Sequence, residues 1–301
     1  MSAIPEPKGP RLLLVDGHAY AYRAFFAIRS LNAPDGSPTN AIYGFIKMIE
    51  KMRGLIRPTH ILVAWDAGLA SERVALLPGY KANRPTTPEA LEVQFPQIQQ
   101  WLLDKGLASW SAEGTEADDW LATYAKRAVE RGWEAVVASA DKDFMQLVQP
   151  GIHLYNPGDK VERLWGPAEV EAKTGVQPGQ VVDWLCLVGD AVDNIPGASG
   201  IGPKTAAELL KRFGSIDGIY QRIGEIKSET QRTNLLAAEE AVRRNRLMIR
   251  LWTELPGGTE LEALVPGTGH VPNLRESYRR WGFKSMLAEL MPPGEEQGHL
   301  L

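Results

Sequence analysis

Short apolar segments alternate with amphipathic segments in the first half of the chain. Three mainly apolar runs end in or beside an aspartate: residues 11–17, 59–66 and 134–141. Runs of this length predict buried strands. Apolar residues at helical spacing occupy the segments near or between them, residues 40–56, 88–106 and 116–132. Strands that alternate with helices predict an α/β fold with a mainly parallel sheet that helices cover on both faces.

The pattern changes after about residue 166, where helical periodicity continues without clear strands. Residues 152–155 are a candidate further strand before that point. Helices are predicted at residues 167–174, 178–189, 204–213, 216–223, 231–251 and 274–290. The tail from Pro292 is polar, and we expect it to be loose. We therefore expect two parts, a sheet-containing core at residues 1–175 and a helical region at residues 176–301.

Composition narrows the class of protein. The chain has 301 residues, of which 44% are hydrophobic and 23% charged, as in ordinary globular proteins. Its apolar runs are too short to cross a bilayer, and we expect neither a membrane segment nor a secretory signal. Cys186 is the only cysteine, which excludes an intrachain disulfide and a cysteine-based zinc site. These features favour the cytoplasm.

Acidic residues follow the predicted strands. In open parallel sheets, ligands bind beyond the carboxyl ends of the strands, and those ends share one edge. The motif at residues 115–119 and the motif at residues 189–194 add further acids near helix ends. The candidate site therefore contains nine acids: Asp16, Asp66, Glu116, Asp118, Asp119, Asp141, Asp143, Asp190 and Asp193. Removing their nine negative charges from the net charge of −4 leaves +5 for the rest of the chain.

Each acidic motif alone also fits an ordinary structural role. Thr115 with Asp118 resembles a capping box, and acids in a first helical turn complement the helix dipole. Asp16 and Asp66 suit strand-end turns. The joint pattern favours a metal site, because several neighbouring carboxylates stay ionised only when cations compensate them. Oxygen ligands without thiolate or clustered imidazole select Mg²⁺, with Mn²⁺ as a substitute, and two ions can flank a phosphoryl group.

A basic segment follows the second acidic strand. Residues 71–88 contain Arg73, Tyr80, Lys81 and Arg84, which suit a phosphodiester backbone and a stacked base. Arg23, beyond Asp16, is a further candidate phosphate contact. A solvated loop explains the composition of this segment equally well.

A glycine turn opens a later helix. Residues 196–207 read PGASGIGPKTAA, and Gly200 and Gly202 let the backbone approach a ligand closely. Lys204 and Thr205 lie in the first helical turn, where free N–H groups favour phosphate. This neighbourhood predicts a helix–hairpin–helix module that grips a DNA backbone without reading its sequence. A plain helix–helix turn is the alternative.

Seven motifs together resemble bacterial 5′ nucleases. They are LLLVDGHAYAYRAFFA, AIYGF, VAWDA, LLPGYKANRPTTPE, TEADDWLAT, ASADKDFMQLV and GDAVDNIPGASGIGPKTAAELL. This family comprises the N-terminal 5′–3′ exonuclease domain of DNA polymerase I and the free-standing flap endonucleases. The resemblance runs from about residue 11 to about residue 290.

The resemblance implies a PIN-like nuclease core with a helical arch, followed by a helix–hairpin–helix region that often holds K⁺. All nine acids match the family's metal ligands, and Lys81 and Arg84 match basic positions at the base of the arch. Arg23 and Arg73 align with other phosphate-contacting positions. Residues 109–114 depart from the family's more apolar strand, which leaves the register of that strand open.

The function implied is Mg²⁺-dependent hydrolysis of DNA near the 5′ end of a flap, nick or branch, yielding 5′-phosphate and 3′-hydroxyl ends. Lys81 and Arg84 would be catalytic, and the enzyme would remove primers and flaps in replication and repair. We expect a monomer in the bacterial cytoplasm with the nucleoid. Because polymerase and proofreading domains are absent, a polymerase would act in trans or on the same parent chain.

Three other classes of protein are alternatives to a 5′ nuclease. A PIN-type ribonuclease usually has fewer acids and a shorter chain, and the glycine turn argues against it. A non-catalytic DNA-binding or scaffold protein would not need the complete acid set. A structural protein without nucleic acid leaves the acidic cluster unexplained.

Overall fold

The structure, a computed structural model, describes residues 4–290, and the tail predicted to be loose from Pro292 lies outside them. The main strands are β1 (Arg11–Asp16), β2 (His60–Ala64), β3 (Ala108–Trp110), β4 (Glu134–Ala138) and β5 (Ile152–Tyr155). They form one parallel sheet in the order β3-β2-β1-β4-β5. The sheet confirms the predicted parallel arrangement and includes the candidate strand at residues 152–155.

Helices make up most of the remaining structure. The α-helices are α1 (Gly17–Ala27), α2 (Asn40–Ile56), α3 (Ser71–Leu76), α4 (Glu89–Glu92), α5 (Phe95–Asp104), α6 (Ala117–Glu130), α7 (Pro167–Thr174), α8 (Val181–Val188), α9 (Pro203–Phe213), α10 (Ile216–Gln221), α11 (Glu229–Ile249), α12 (Val271–Trp281) and α13 (Lys284–Glu289). Short 3-10 helices span Lys142–Leu147, Pro178–Gln180, Ile223–Glu225 and Leu261–Leu264. A two-stranded hairpin, β6 (Gly189–Asp190) and β7 (Ile195–Pro196), separates α8 from α9.

The central strand explains why the sheet is covered on both faces. Successive side chains of a strand point to opposite faces. In β1, Leu12 and Leu14 belong to one buried cluster, whereas Leu13 and Val15 belong to another. The first cluster continues into α8 and α9, so the core under one face of the sheet extends into the C-terminal helical region.

The register of the strands aligns their carboxyl ends. Asp16 pairs with Ala64 of β2, and Val15 pairs with Ala138 of β4. The residues that follow these three strands therefore leave the sheet at one edge. On the other side of β2, the short β3 pairs Ala64 with Trp110, which gives the register that the sequence left open.

Two predicted helices are divided in the structure. The prediction at residues 88–106 becomes α4 and α5, separated at the fully buried Gln94. Its Oε1 accepts hydrogen bonds from the N–H groups of Ala41 and Ile42 at 2.8 and 3.1 Å, so the break caps α2. The prediction at residues 274–290 becomes α12 and α13, separated near Gly282, whose φ is 74°.

The last helices return to the sheet-containing core. Trp101 Nε1 of α5 donates a hydrogen bond to Tyr278 of α12 at 3.0 Å. Phe283, between α12 and α13, packs edge-on against Tyr43 of α2. Across residues 4–290, the helices are all too short or too polar to cross a membrane.

Candidate active site

The first group of acids lies where β1, β2 and β4 end. Asp16 caps α1, and its Oδ1 accepts a hydrogen bond from Ala19 N at 3.0 Å. Asp66 Oδ1 accepts one from Ala117 N, the first residue of α6, at 2.7 Å. Asp141 Oδ1 accepts one from Asp143 N at 2.8 Å. Backbone N–H groups thus fix one oxygen of each carboxylate.

The charges of this group act on one another. Burial, followed by the charge of Asp66, raises the pKa of Asp16 to about 7. Burial also raises the pKa of Asp118 well above its usual value, with further contributions from Asp16 and Asp141. Mutual repulsion of this kind requires the carboxylates to be neighbours. Asp118, in the first turn of α6, therefore joins the three acids at the strand ends.

A second group of acids adjoins the first through Asp141. Burial is the main cause that raises the pKa of Asp143, and the charges of Asp141 and Asp190 add to it. The pKa of Asp141 is raised mainly by burial, and the charges of Asp193 and Asp190 contribute. Asp190 lies 3.3 Å from the ammonium of Lys142. We call these two groups the acidic edge: Asp16, Asp66, Asp118, Asp141, Asp143, Asp190 and Asp193.

The other two predicted acids lie in buried ion pairs. Arg73 donates to both oxygens of Asp119 at 2.7 and 2.8 Å, and to Glu116 Oε2 at 2.9 Å. The same Glu116 oxygen accepts from Lys81 Nζ at 2.9 Å and from Tyr80 at 3.0 Å. Burial opposes ionisation, yet Lys81 and Arg73 lower the pKa of Glu116 below its usual value. The protein's own cations therefore neutralise Glu116 and Asp119.

Two residues of the basic segment face inward. Arg73 is 2% exposed and lies over the ring of Trp252, with 4.9 Å between the guanidinium carbon and the ring centroid. Tyr80 is 5% exposed and its hydroxyl is paired with Glu116. The structure does not bring Arg73 to a surface where it could contact phosphate, nor Tyr80 to one where it could stack on a base. Their buried anionic partners account for this difference from our expectation.

The two predicted catalytic cations border the acidic edge. The side chain of Lys81 is 7% exposed and reaches Glu116, and the backbone of Lys81 is left-handed with a φ of 56°. The side chain of Arg84 is 43% exposed, and its Nε donates to Asp193 Oδ1 at 3.1 Å. Fixed positive charge thus lies beside both groups of acids.

The remaining predicted DNA contacts are accessible. Arg23 is exposed on α1, where its guanidinium donates to Pro157 O at 2.9 Å. Gly200 is left-handed with a φ of 72°, and a Cβ built at Gly202 meets nothing within 4 Å. Lys204 is exposed and Thr205 half-buried at the start of α9. Within residues 4–290, the N-cap of α9, Gly202, makes no side-chain cap hydrogen bond, which leaves the first N–H groups of the helix without that partner.

Sequence reasoning missed two polar residues of this region. Asn194, in the turn between β6 and β7, donates to Gly79 O at 2.7 Å and has a φ of 58°. Asn83 donates to Ala191 O at 2.9 Å. The available signal for Asn194 was its residue type, since asparagine is enriched at positive φ.

The donors of the acidic edge fit a hard divalent cation. All of them are carboxylate oxygens, which suit Mg²⁺ or Mn²⁺. Asp143 Oδ1 is buried and lacks a hydrogen-bond partner in the described part of the chain. Over the same residues, no three histidine, cysteine, aspartate or glutamate side chains are placed closely enough to hold a metal ion as they stand. The arrangement is therefore an electronegative edge that a cation would stabilise.

Two protein-family models together match residues 11–270 of the chain. Residues 11–175 match the family described as 5′-3′ exonuclease, N-terminal resolvase-like domain. Residues 176–270 match the family described as 5′-3′ exonuclease, C-terminal SAM fold. These descriptions confirm the predicted PIN-like core and helical C-terminal region.

Curated relatives include free-standing and fused proteins. A 5′-3′ exonuclease of Aquifex aeolicus is 34% identical, over 93% of this chain and 94% of the relative. A DNA polymerase I of Rhizobium leguminosarum is 39% identical over 89% of this chain. The chain spans 27% of that polymerase and 34% of a thermostable DNA polymerase I from Thermus thermophilus.

Solved structures share the fold. The phage T5 D15 protein, co-crystallised with metal ions, is 22% identical and aligns with a TM-score of 0.67, covering 81% of this chain and 90% of the T5 protein. The catalytic core of Rad2 in complex with a DNA substrate is 16% identical with a TM-score of 0.63, covering 95% and 96% of the two chains.

Proposed function

Because this chain belongs to the 5′-3′ exonuclease family, we propose that it is a metal-dependent 5′-3′ exonuclease and 5′-flap endonuclease acting on DNA. The observation that carries this proposal is the acidic edge, where seven carboxylates adjoin Lys81 and Arg84. An edge with this charge is well suited to hold cations against a phosphodiester. The products would be 5′-phosphate and 3′-hydroxyl ends.

The acidic edge would hold two or more Mg²⁺ ions, and Mn²⁺ would substitute. When bound, such ions lower the pKa of a water molecule and neutralise charge on the phosphate and on the departing 3′ oxygen. Glu116 and Asp119, which we predicted as ligands, would act here by holding Arg73 and Lys81. The T5 protein, which was co-crystallised with metal ions, supports the proposal that the site of this chain binds divalent metal.

The chain's own residues would orient the DNA and balance its charge. Lys81 would exchange its contact with Glu116 for the scissile phosphate, and Arg84 would contact the same region. Fixed cations at that position stabilise the negative charge that develops in the transition state. Arg23 would contact the phosphate backbone near the cut, while the turn with Gly200 and Lys204 would hold the duplex farther away.

Several finer assignments belong to the same proposal. The substrates would be 5′-flap, nicked and branched duplexes, consistent with the DNA-bound Rad2 core. K⁺ would bind at the helix–hairpin–helix turn. The protein would act as a monomer at the bacterial nucleoid in primer and flap removal, with a polymerase in trans or on the same parent chain, as the polymerase relatives suggest.

A labelled 5′-flap duplex tests the reaction directly. We expect Mg²⁺-dependent release of fragments with 3′-hydroxyl ends, and no comparable cleavage of single-stranded RNA. Asp141→Asn should abolish cleavage, because it removes a proposed metal ligand of the acidic edge. DNA binding, measured in Ca²⁺, should persist, because the residues proposed to contact DNA are unchanged. Asp35→Asn, at an exposed turn where Asp35 accepts a hydrogen bond from Ser37, is the matched control. Cleavage of RNA alone, or wild-type turnover by Asp141→Asn, would contradict the proposal.

A further inference from the structure

The hairpin before the glycine turn holds the segment that carries both cations of the proposed active site. The turn between β6 and β7, residues 191–194, lies against residues 79–84. We infer that Asn194 is a positioning residue for Lys81. This inference rests on the proposed function, because it requires Lys81 to act on the scissile phosphate.

Two hydrogen bonds place the backbone of Lys81. The side-chain amide of Asn194 donates to Gly79 O at 2.7 Å. Two residues after Gly79, Lys81 N donates a hydrogen bond to Asp193 O at 3.0 Å. The hairpin therefore holds the backbone on both sides of Tyr80. These contacts fix the backbone position of Lys81 and so restrict where its side chain can reach.

Two further contacts join the hairpin to Asn83 and Arg84. Asn83 Nδ2 donates to Ala191 O at 2.9 Å. The guanidinium of Arg84 pairs with Asp193, whose backbone carbonyl already binds Lys81. The two turns thus meet through backbone, amide and ionic contacts, and the same hairpin contributes Asp190 to the acidic edge.

Two residues at this contact have a left-handed backbone, a conformation that an ordinary solvated loop would not require. Asn194 and Lys81 have φ values of 58° and 56°. Asparagine tolerates this region better than most residues, whereas lysine adopts it at a cost. A Cβ at position 79 would come within 2.9 Å of the Asn194 amide, so Gly79 permits the approach. Contacts from the hairpin must compensate the strain at Lys81.

The other end of the hairpin leads into the DNA-binding turn. Asn245 of α11 donates to Pro196 O at 2.7 Å, and a Cβ at Gly197 would lie 2.3 Å from the carbonyl carbon of Val188. The chain reaches Gly200 after three more residues. These contacts pack the hairpin between α8 and α11, which holds residues 191–194 in place against residues 79–84.

The test is Asn194→Gly, which keeps the left-handed backbone and removes the amide donor. We expect its single-turnover cleavage rate at saturating DNA and Mg²⁺ to fall about tenfold to a hundredfold, since small misplacements of catalytic groups have effects of that size. Its Kd for the flap duplex, measured in Ca²⁺, should be unchanged. Asn194→Asp, which keeps the shape and replaces the donor with an acceptor facing a carbonyl, should be impaired in the same way.

A double-mutant cycle separates positioning from general stability. In a Lys81→Ala background, Asn194→Gly should cause little further loss, because the group that it positions is gone. Asn273→Ala removes the hydrogen bond that the side-chain amide of Asn273, on α12, donates to Asp104 of α5, and it should leave cleavage unchanged. Wild-type cleavage by Asn194→Gly or Asn194→Asp, or an equal loss in both backgrounds, would overturn the inference. Wild-type cleavage by Lys81→Ala would instead overturn its catalytic role in the proposed function.

Discussion

Arg73 joins three distant parts of the chain at a single side chain. It lies in α3, pairs with Asp119 of α6, and donates to Arg250 O just beyond α11 at 3.3 Å. Removing one partner of a buried ion pair leaves the other charge uncompensated, at a cost of about 3–5 kcal/mol. We therefore expect Arg73→Met to lower the free energy of unfolding by that amount, as measured by urea denaturation.

Arg23 provides the contrast for this prediction. It is exposed, so Arg23→Ala should change stability by no more than about 0.5 kcal/mol and should weaken DNA binding instead. Equal stability of Arg73→Met and the wild type would show that Arg73 is not the structural anchor described here. A loss of DNA affinity in folded Arg73→Met, without a loss of stability, would restore its role as a phosphate contact.

The sequence could predict which residues are charged, but not which way each side chain faces. Arg73 and Arg84 belong to one basic segment, and composition alone gives them the same role. Their difference comes from partners far along the chain, Trp252 beside Arg73 and Asp193 beside Arg84. The acids after the strands were easier to predict, because parallel strands place their carboxyl ends at one edge whatever the helices do.

At the scale of elements, α9 offers a test of the DNA-binding turn. Lys204 is exposed in its first turn, and Lys211 lies on the same helix in its last turn. Lys204→Ala should weaken duplex binding and lower the slope of log K against log salt by about 1, because one phosphate contact is lost. The single-turnover cleavage rate at saturating DNA should not change.

Lys211→Ala is the matched control, since it removes the same charge from the far end of the helix. Filter binding at several salt concentrations would measure both variants. Equal salt slopes for Lys204→Ala and the wild type would remove the anchoring role from this turn. A slower cleavage step with unchanged affinity would assign Lys204 to the chemistry instead.

The sequence predicts the ends of a helix well where its pattern of apolar residues is regular. The helix at residues 40–56 was predicted with the bounds that the structure shows, because its apolar face is regular over four turns. The break between α4 and α5 could not be predicted in this way. Gln94 ends α4 by capping α2, and that contact depends on tertiary packing between segments that are more than fifty residues apart.

At the scale of the whole molecule, the two expected parts share one core. Leu12 and Leu14 of the sheet belong to the same buried cluster as Leu187 of α8 and Leu210 of α9. Helical periodicity marks which face of each helix is buried, but it does not identify the surface against which that face packs. The return of α12 to α5 was therefore beyond the sequence pattern, although each helix was expected.

Metal binding should stabilise the whole chain in a pH-dependent manner. The pKa of Asp16 is raised from 3.8 to about 7, so without metal the folded state binds a proton that the unfolded state releases. The stability that the folded state gains from this bound proton is fully present below about pH 4 and is lost as the pH rises through about 7. Between pH 5 and pH 8, the stability contributed by the acidic edge should therefore fall in EDTA.

Mg²⁺ should reverse that loss, because it competes with protons for the same carboxylates. At a concentration one hundred times its Kd, binding would add about 2.7 kcal/mol to the free energy of unfolding. Calorimetric scans should show a larger Mg²⁺-induced rise in Tm at pH 8 than at pH 5.5. Asp16→Asn, which preserves a helix-capping side chain, should reduce both the pH dependence and the response to Mg²⁺. A wild-type Tm that responds to Mg²⁺ equally at both pH values would separate metal binding from the titration of this edge.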